Sequence, residues 1–143
     1  MKLKHCLLVS CVTLFAATFI GCSDKPAGIQ FGKVKGVVTL NGEPLPEALV
    51  VFQPAEGRPS FGRTDSAGVY SLSYKGKDWG AVIGSHEVKI TTENRFENEE
   101  TGEIRIVKEM LPAIYHQKTT LTAEVQAGEN EIDFALEKSS GKK

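Results

Sequence analysis

Residues 120–137, TLTAEVQAGENEIDFALE, contain the clearest structural pattern in the chain. Apolar and polar residues alternate on both sides of Ala127-Gly128-Glu129-Asn130, with the apolar positions at Leu121, Ala123, Val125, Ile132, Phe134 and Leu136. Because successive side chains of a strand point to opposite faces, this period of two predicts two strands that each bury one face, with 127–130 turning the chain between them. A shift of either strand by one residue would bury its charged side chains, so the register is strongly specified.

The same period upstream predicts five further strands, at 34–40, 48–53, 61–64, 69–74 and 86–92. The 48–53 run is apolar on both faces and should lie centrally in a sheet. The alternation of 69–74 places Tyr70, Leu72 and Tyr74 on one face, and we expect this strand to form a hairpin with 61–64. Residues 94–110 are too charged for a core. Because the segment also contains Ile104 and Ile106, the sequence does not decide between an edge hairpin and a loop.

Two turns separate these strands. Asn41 and Gly42 both tolerate positive φ, and Asp65-Ser66-Ala67-Gly68 combines a hydrogen-bonding Asp side chain with a flexible Gly. Seven strands with turns between most of them predict an all-β fold, a seven-stranded Greek-key β-sandwich over residues 33–138. Residues 139–143 are expected to be a disordered tail.

The first 21 residues have the composition of an export signal. Lys2 and Lys4 precede an uncharged apolar run, Cys6–Ile20, which is shorter than the about 20 residues that a spanning helix needs. Two of the three cysteines lie in this leader, so Cys22 is the single cysteine of the remaining chain. Residues 22–32 are rich in small and polar residues and predict a flexible tether.

The end of the run, Phe19-Ile20-Gly21-Cys22, resembles the lipobox of bacterial lipoproteins. The resemblance implies cleavage between Gly21 and Cys22 and a diacylglycerol on the Cys22 thiol, which would anchor the protein to a membrane facing the periplasm or the cell surface. The alternative is an ordinary secretory signal with an incidental cysteine. Removing Lys2 and Lys4 leaves 15 basic against 18 acidic residues, a net charge of −3, which argues against nucleic acid as a partner.

Two stretches, Val37–Ala48 and Arg63–Tyr70, look like motifs of the carboxypeptidase regulatory-like domains, G-x-V-x-x-x-G-x-P-[LV]-x-x-A-x-V and T-D-x-x-G-x-[FY]. The resemblance extends over Lys33–Glu137, and the chain is similar to small bacterial lipoproteins built from this domain alone. It implies a prealbumin (transthyretin-like) sandwich. In the enzymes that give the family its name this domain accompanies the catalytic domain and lacks the zinc site, so the resemblance implies no peptidase activity.

Catalytic and metal-binding patterns are sparse. His86 and His116 are thirty residues apart with no paired Cys, so we expect two partly exposed histidines and no metal or cofactor. Ser85 and His86 are neighbours on a strand and should point to opposite faces. For Asp65 and the acidic run 97–103, the roles of turn residue and solvated loop are favoured over a calcium site. A transthyretin-like hydrolase is the least favoured reading, because that family ends in Tyr-Arg-Gly-Ser and this chain ends in KSSGKK.

Trp79, the single tryptophan, lies in the Gly-rich stretch 76–84. It is a candidate contact for a sugar or protein ligand, or a cap on the open end of the sandwich, and the sequence favours neither. The leading hypothesis is a non-catalytic, lipid-anchored extracytoplasmic binding or scaffold domain that uses the loops 54–62, 76–84 and 94–110 against an unknown protein or glycan. The alternative is a structural cell-envelope component that self-associates.

Overall fold

The structure, a computed structural model, describes residues 28–97 and 99–138. The predicted leader with its cleavage site at Gly21 and Cys22, most of the predicted tether, and the 139–143 tail lie outside the described residues. Within them the chain forms one short 3₁₀ helix, η1 (Ala113–Tyr115), and the strands β1 (Phe31–Leu40), β2 (Glu43–Pro44), β3 (Leu49–Pro54), β4 (Ser60–Arg63), β5 (Val69–Ser71), β6 (Ala81–Val82), β7 (Gly84–Thr91), β8 (Asn94–Glu97), β9 (Ile104–Val107), β10 (Thr122–Val125), β11 (Gly128–Glu131) and β12 (Phe134–Leu136). The predicted all-β class is confirmed.

One sheet has four strands in the order β10-β7-β3-β4, and all of its pairs are antiparallel. The predicted central strand, β3, lies between β7 and β4, with Phe52 opposite Val88 and Ser60. Burial along β3 alternates, so one face is fully buried and the other only partly. The apolar residues on its outward face are therefore only partly covered and do not belong to a second core.

The second sheet has six strands around β1 and mixes parallel with antiparallel pairs. β11 and β12 pair in parallel with successive halves of β1, while β2, β5 and β6 pair with it antiparallel. The prediction of a simple turn over 127–130 is therefore wrong. The chain turns just after β10 instead, where the Asn130 side chain accepts a hydrogen bond from the Gln126 amide at 2.9 Å. Gly128–Glu131 then pairs with the edge of β1 as β11.

The predicted hairpin of 61–64 with 69–74 is confirmed only at one antiparallel bridge, between Phe61 and Ser73; the main partner of β4 is β3 and that of β5 is β1. The two strands are linked by the Asp65 turn and by two hydrogen bonds between Phe61 and Ser73, at 3.0 and 2.8 Å. Thr64 keeps β4 in its sheet, since its hydroxyl accepts a hydrogen bond from the Ala48 amide at 2.8 Å. The chain therefore turns a corner here from one sheet to the other.

Both sheets contribute to one hydrophobic cluster. Phe52 of the four-stranded sheet lies 6.4 Å from Tyr70 and 6.1 Å from Phe134 of the six-stranded sheet, measured between ring centroids. Most inward positions expected from the alternation are buried: Val34, Val38, Tyr70, Leu72, Tyr74, Val88, Ile90, Val125, Phe134 and Leu136. Leu40, Leu121, Ala123 and Ile132 are partly buried and pack against the same cluster. The period of two therefore identified the core correctly.

The strand registers define two opposite ends of the molecule. The first, the Trp79 end, contains the start of β1 at Phe31, the loop 54–59 and the loop 74–80. The second, the hairpin end, contains the β8–β9 hairpin that follows Thr91, together with the turns at 41–42 and 65–68. Two of the three loops proposed for binding thus lie at one end, and the third lies at the other.

Candidate functional site

The β8–β9 hairpin at the hairpin end forms a two-stranded sheet of its own. Its register puts Arg95 opposite Ile106 and Glu97 opposite Ile104, so these four residues share one face. That face is turned to solvent: Ile104 is 46% exposed and Ile106 is 64% exposed. Residues 94–107 therefore form a hairpin, one of the two structures that the sequence left open.

The other face of the hairpin is turned toward the domain. Asn94, Arg105 and Val107 line a groove of about 270 Å³ together with Glu47 and Thr92 of the domain. An isolated two-stranded hairpin is marginally stable in water, so this contact and the attachment of its ends hold it in place. The result is a projection with an open apolar strip on its outer face.

The hairpin is attached to β7 by the carboxylate of Glu109. It accepts hydrogen bonds from the Thr92 amide at 3.1 Å, the Thr92 hydroxyl at 2.6 Å, and the Met110 and Leu111 amides at 2.9 Å each, and also from the Thr91 hydroxyl. Burial alone would raise the pKa of Glu109, but hydrogen bonds from Thr91, Thr92 and Leu111 outweigh it and lower the pKa to about 2. Sequence reasoning placed Glu109 among solvated charges, because nothing local distinguishes it from its acidic neighbours.

At the Trp79 end, three aromatic side chains form a cluster. The Trp79 ring stacks on Tyr74 at 6.2 Å and lies 5.5 Å from Phe31, and Phe31 lies 4.8 Å from Tyr74. Trp79 and Phe31 are partly buried, whereas Tyr74 is 3% exposed. The structure thus brings Trp79 onto the first strand of the domain, where it covers the end of the core and keeps part of its ring in solvent.

Local backbone chemistry places Trp79 there. Lys75 and Gly76 have φ values of 51° and 71°, which close a tight turn in which Tyr74 and Lys77 exchange backbone hydrogen bonds. Gly80 follows with φ 83°, and a Cβ at this position would lie 2.0 Å from the Gly32 carbonyl oxygen. Only glycine permits this approach of the loop to β1, so the Gly-rich composition has a packing reason.

A groove of about 380 Å³ lies beside the aromatic cluster. It is lined by Arg58, Pro59, Phe61, Lys75 and Gly76. Phe61 is 43% exposed, and the Lys75 ammonium lies 5.7 Å from the Tyr74 ring centroid. The groove combines two cationic side chains with an exposed aromatic ring and has no acidic residue in its lining, which is chemistry suited to an anionic group attached to an apolar body.

His86 is 2% exposed, so the expectation of a partly exposed histidine is wrong for this residue. Its side chain shares the inward face of β7 and packs 5.6 Å from the Phe52 ring. Nδ1 lies 2.9 Å from the Gly84 carbonyl oxygen, and Nε2 has no hydrogen-bond partner among the described residues. Burial lowers the pKa of His86 against the opposing effects of Gly84 and Glu124.

The neighbouring Ser85 points away from His86, as strand geometry requires, and donates a hydrogen bond to Glu124. It lines an open cleft of about 520 Å³ on the outer face of the four-stranded sheet, together with Gln53, Glu87, Thr120 and Thr122. The lining also includes the apolar side chains of Pro54, Ala55 and Leu121, so the cleft is of mixed chemistry. His116, in contrast, is partly exposed, and its Nε2 lies 3.1 Å from the Leu111 carbonyl oxygen.

The residues predicted to form turns lie in turns. Asn41 and Gly42 have φ values of 54° and 85° between β1 and β2, and the Asn41 side chain accepts a hydrogen bond from the Lys138 amide. The Asp65 carboxylate accepts hydrogen bonds from the Ala67 and Val69 amides at 2.8 and 2.9 Å, and Gly68 has φ 75°. The Asp65 side chain thus closes its own turn, whereas the Asn41 side chain links the first turn to Lys138.

Over residues 28–97 and 99–138, no group of three or more His, Cys, Asp or Glu side chains is arranged to hold a metal ion. The same part of the chain has no helix with the length and apolar character needed to cross a bilayer. Cys22 and Gly21 lie outside it.

Comparison with known proteins provides no family. No family model matches the chain, and no curated protein matches it. Among solved structures it is similar to part of a 9R-lipoxygenase from Cyanothece PCC8801, with 14% sequence identity and a TM-score of 0.40 over 80% of this chain. The match spans 17% of the lipoxygenase chain.

Proposed function

We propose that this protein is a non-catalytic, lipid-anchored extracytoplasmic binding domain, held to a membrane through Cys22. The support for the anchor is in the sequence: a basic start at Lys2 and Lys4, an uncharged apolar run, and a single remaining cysteine directly after Gly21. One acyl chain binds a membrane only marginally, so the two or three chains of a lipoprotein are what a stable anchor requires.

The binding surface that the geometry supports best is the outer face of the β8–β9 hairpin. Ile104 and Ile106 are exposed side by side on a projecting hairpin, and Met110 beyond it is 51% exposed. A protein in water gains by covering such adjacent apolar groups, whereas isolated exposed residues need no explanation. This adjacent exposed pair is the observation that carries the proposal.

The charges around this strip define the chemistry of the partner. Residues 93–109 contain six acidic and three basic residues, a net charge of −3. A protein surface with an apolar patch bordered by Lys and Arg would be complementary to it, since opposite potentials across an interface favour encounter and fix orientation. We therefore propose a protein partner with a basic, apolar surface in place of the broader class of protein or glycan.

A capture experiment with matched variants tests this proposal. Full-length wild-type protein, Ile106→Asp and Ile114→Asp are used to capture partners from detergent-solubilised cell envelopes, followed by mass spectrometry. Ile114 is 49% exposed on η1, outside the β8–β9 hairpin, and serves as the control. We expect a partner that wild type and Ile114→Asp retain and that Ile106→Asp loses by at least about tenfold, because a buried charge opposite an apolar patch costs about 1.4 kcal/mol or more.

Identical capture by Ile106→Asp and wild type would remove the hairpin from the proposal. A second copy of the chain as the captured protein, with concentration-dependent sedimentation that Ile106→Asp abolishes, would favour the self-associating envelope component instead. The hairpin would then be the contact between copies.

The two sheets are, we propose, the layers of a prealbumin-like Greek-key β-sandwich. The contacts of Phe52 with Tyr70 and Phe134 support this arrangement, because they join side chains from the two sheets in one core. A crystal structure of the domain is the direct test. A closed barrel, or sheets that share no core, would contradict the proposal.

A further inference from the structure

We propose that the Trp79 end of the domain rests on the surface of an anionic phospholipid bilayer, with the Trp79 ring at headgroup level and Arg58 and Lys75 against lipid phosphates. This inference rests on the proposed lipid anchor at Cys22. It goes beyond the anchor because it gives the domain a fixed orientation, in which the β8–β9 hairpin points away from the membrane.

The chain between Cys22 and the fold is too short to let the Trp79 end move far from an acyl anchor. Gly28 is six positions after Cys22, and a fully extended chain spans at most about 22 Å over that distance. The described chain enters the fold at Phe31, inside the aromatic cluster of the Trp79 end. Strand β1 then runs for ten residues, about 33 Å at strand geometry, toward the hairpin end. An acyl anchor on Cys22 therefore keeps the Trp79 end close to the bilayer.

The two ends of the domain differ in charge. The loops 54–59 and 74–80 contain Arg58, Lys75 and Lys77 against Glu56 and Asp78. Asp78 pairs with Lys33 at 3.4 Å, and Glu129 lies next to Lys33 in the sheet register. These residues together carry four basic and three acidic groups, a net charge of +1, compared with −3 for residues 93–109. Glu124, beside Ser85 at the same end, brings this balance to zero. An anionic surface therefore repels the hairpin end but not the Trp79 end, where attraction depends on the local pair Arg58 and Lys75.

The side chains exposed at the Trp79 end are of the kind found at membrane interfaces. Tryptophan has an apolar ring with a polar N–H and is enriched at membrane interfaces for that reason. Trp79 is only partly covered by Phe31 and Tyr74. Two further apolar side chains at the same end are exposed, Ile29 at 37% and Phe61 at 43%. The aromatic groove between Arg58 and Lys75 is therefore open to a lipid headgroup.

The attraction of a few basic side chains for an anionic membrane is weak for a free domain, at about 1 kcal/mol for each Lys or Arg near the surface. A short tether changes this, because it converts binding into an intramolecular step with an effective concentration of about a millimolar or more. Weak contacts are then sufficient to hold one orientation. The anchor keeps the domain near the bilayer, and the contacts of the Trp79 end set the orientation of the domain.

Trp79 is the only tryptophan of the chain, so its fluorescence reports on this end alone. The experiment uses the mature acylated protein, reconstituted in vesicles of phosphatidylcholine with or without phosphatidylglycerol that carry bromine atoms high in the acyl chains. We expect quenching of Trp79 in the anionic vesicles and at least a threefold smaller effect in pure phosphatidylcholine or at high salt. An Arg58→Glu/Lys75→Glu variant should lose the quenching, whereas the matched Arg95→Glu/Lys108→Glu variant of the hairpin end should keep it.

Failure of the orientation and failure of the anchor give different results. Vesicle-bound, acylated protein with unquenched Trp79 overturns the proposed orientation and leaves the anchor standing. Protein that carries no acyl mass and does not sediment with vesicles overturns the anchor and the orientation together. Equal quenching in both charge-reversal variants also contradicts the inference, because contact would then not depend on Arg58 and Lys75.

Discussion

The carboxylate of Glu109 predicts a measurable and pH-dependent contribution to stability. Replacement by Gln removes the charge and places an NH₂ group among hydrogen-bond donors, the amides of Thr92, Met110 and Leu111. At least one of these donors is then left without an acceptor, and a buried unpaired donor costs about 1–3 kcal/mol. Leu111 belongs to the core cluster, so the loss should affect global unfolding and not only the hairpin.

The magnitude follows from the pKa of Glu109, which falls from 4.5 to about 2 in the folded protein. Full coupling of that shift to folding corresponds to about 3 kcal/mol, and solvent screening of this partly exposed group reduces it to about 1–2 kcal/mol. A lowered pKa means that the unfolded chain binds the proton more tightly. The contribution is therefore present above pH 4.5 and is lost as the pH falls toward 2.

Urea unfolding of wild type and Glu109→Gln at pH 7 and pH 3 tests both statements, with Glu99→Gln as an exposed control from the same segment. We expect Glu109→Gln to be less stable by about 1–2 kcal/mol at pH 7, with more than half of the difference gone at pH 3. A Glu109→Gln variant as stable as Glu99→Gln at pH 7, or a difference that grows on acidification, would refute the reasoning.

Two further predictions concern the core. The buried Tyr70 hydroxyl donates a hydrogen bond to the Ile132 carbonyl oxygen at 2.7 Å, so Tyr70→Phe should lower the free energy of unfolding by about 1–2 kcal/mol in urea titrations, and an unchanged midpoint would show that water replaces the bond. Burial lowers the pKa of His86, so the unfolded chain takes up the proton first and stability should fall as the pH drops below about 6.5. His86→Phe should remove the difference in stability between pH 7.5 and pH 5.5, and a persisting difference would assign it to other groups.

The sequence pattern predicted burial better than it predicted pairing. Alternation over 69–74 and 131–137 identified Tyr70, Leu72, Phe134 and other inward residues correctly, because the two faces of a strand follow directly from its geometry. The partner of each strand depends on contacts distant in the chain. The parallel pairing of β11 with β1, between residues almost one hundred positions apart, has no local signal.

The same limit applies to the candidate sites. Glu109 was indistinguishable from the solvated carboxylates around it, because its role depends on Thr91 and Thr92 in another strand. His86 was expected to be partly exposed, because a histidine in a core with no partner for Nε2 is uncommon, yet it shares the inward face of β7 with Val88 and Ile90. Trp79 was singled out because it is the single tryptophan and lies in a Gly-rich stretch. Its contact with Phe31 could be identified only from the three-dimensional structure.

The most direct test of the central proposal is the intact mass and membrane partition of the protein expressed with its own leader, beside a Cys22→Ala variant. The account predicts that wild type is membrane-bound, begins at Cys22 and carries acyl mass that the variant lacks. A soluble, unacylated wild-type protein would contradict the account, since the domain would then be a free module and the orientation of its Trp79 end would have no anchor.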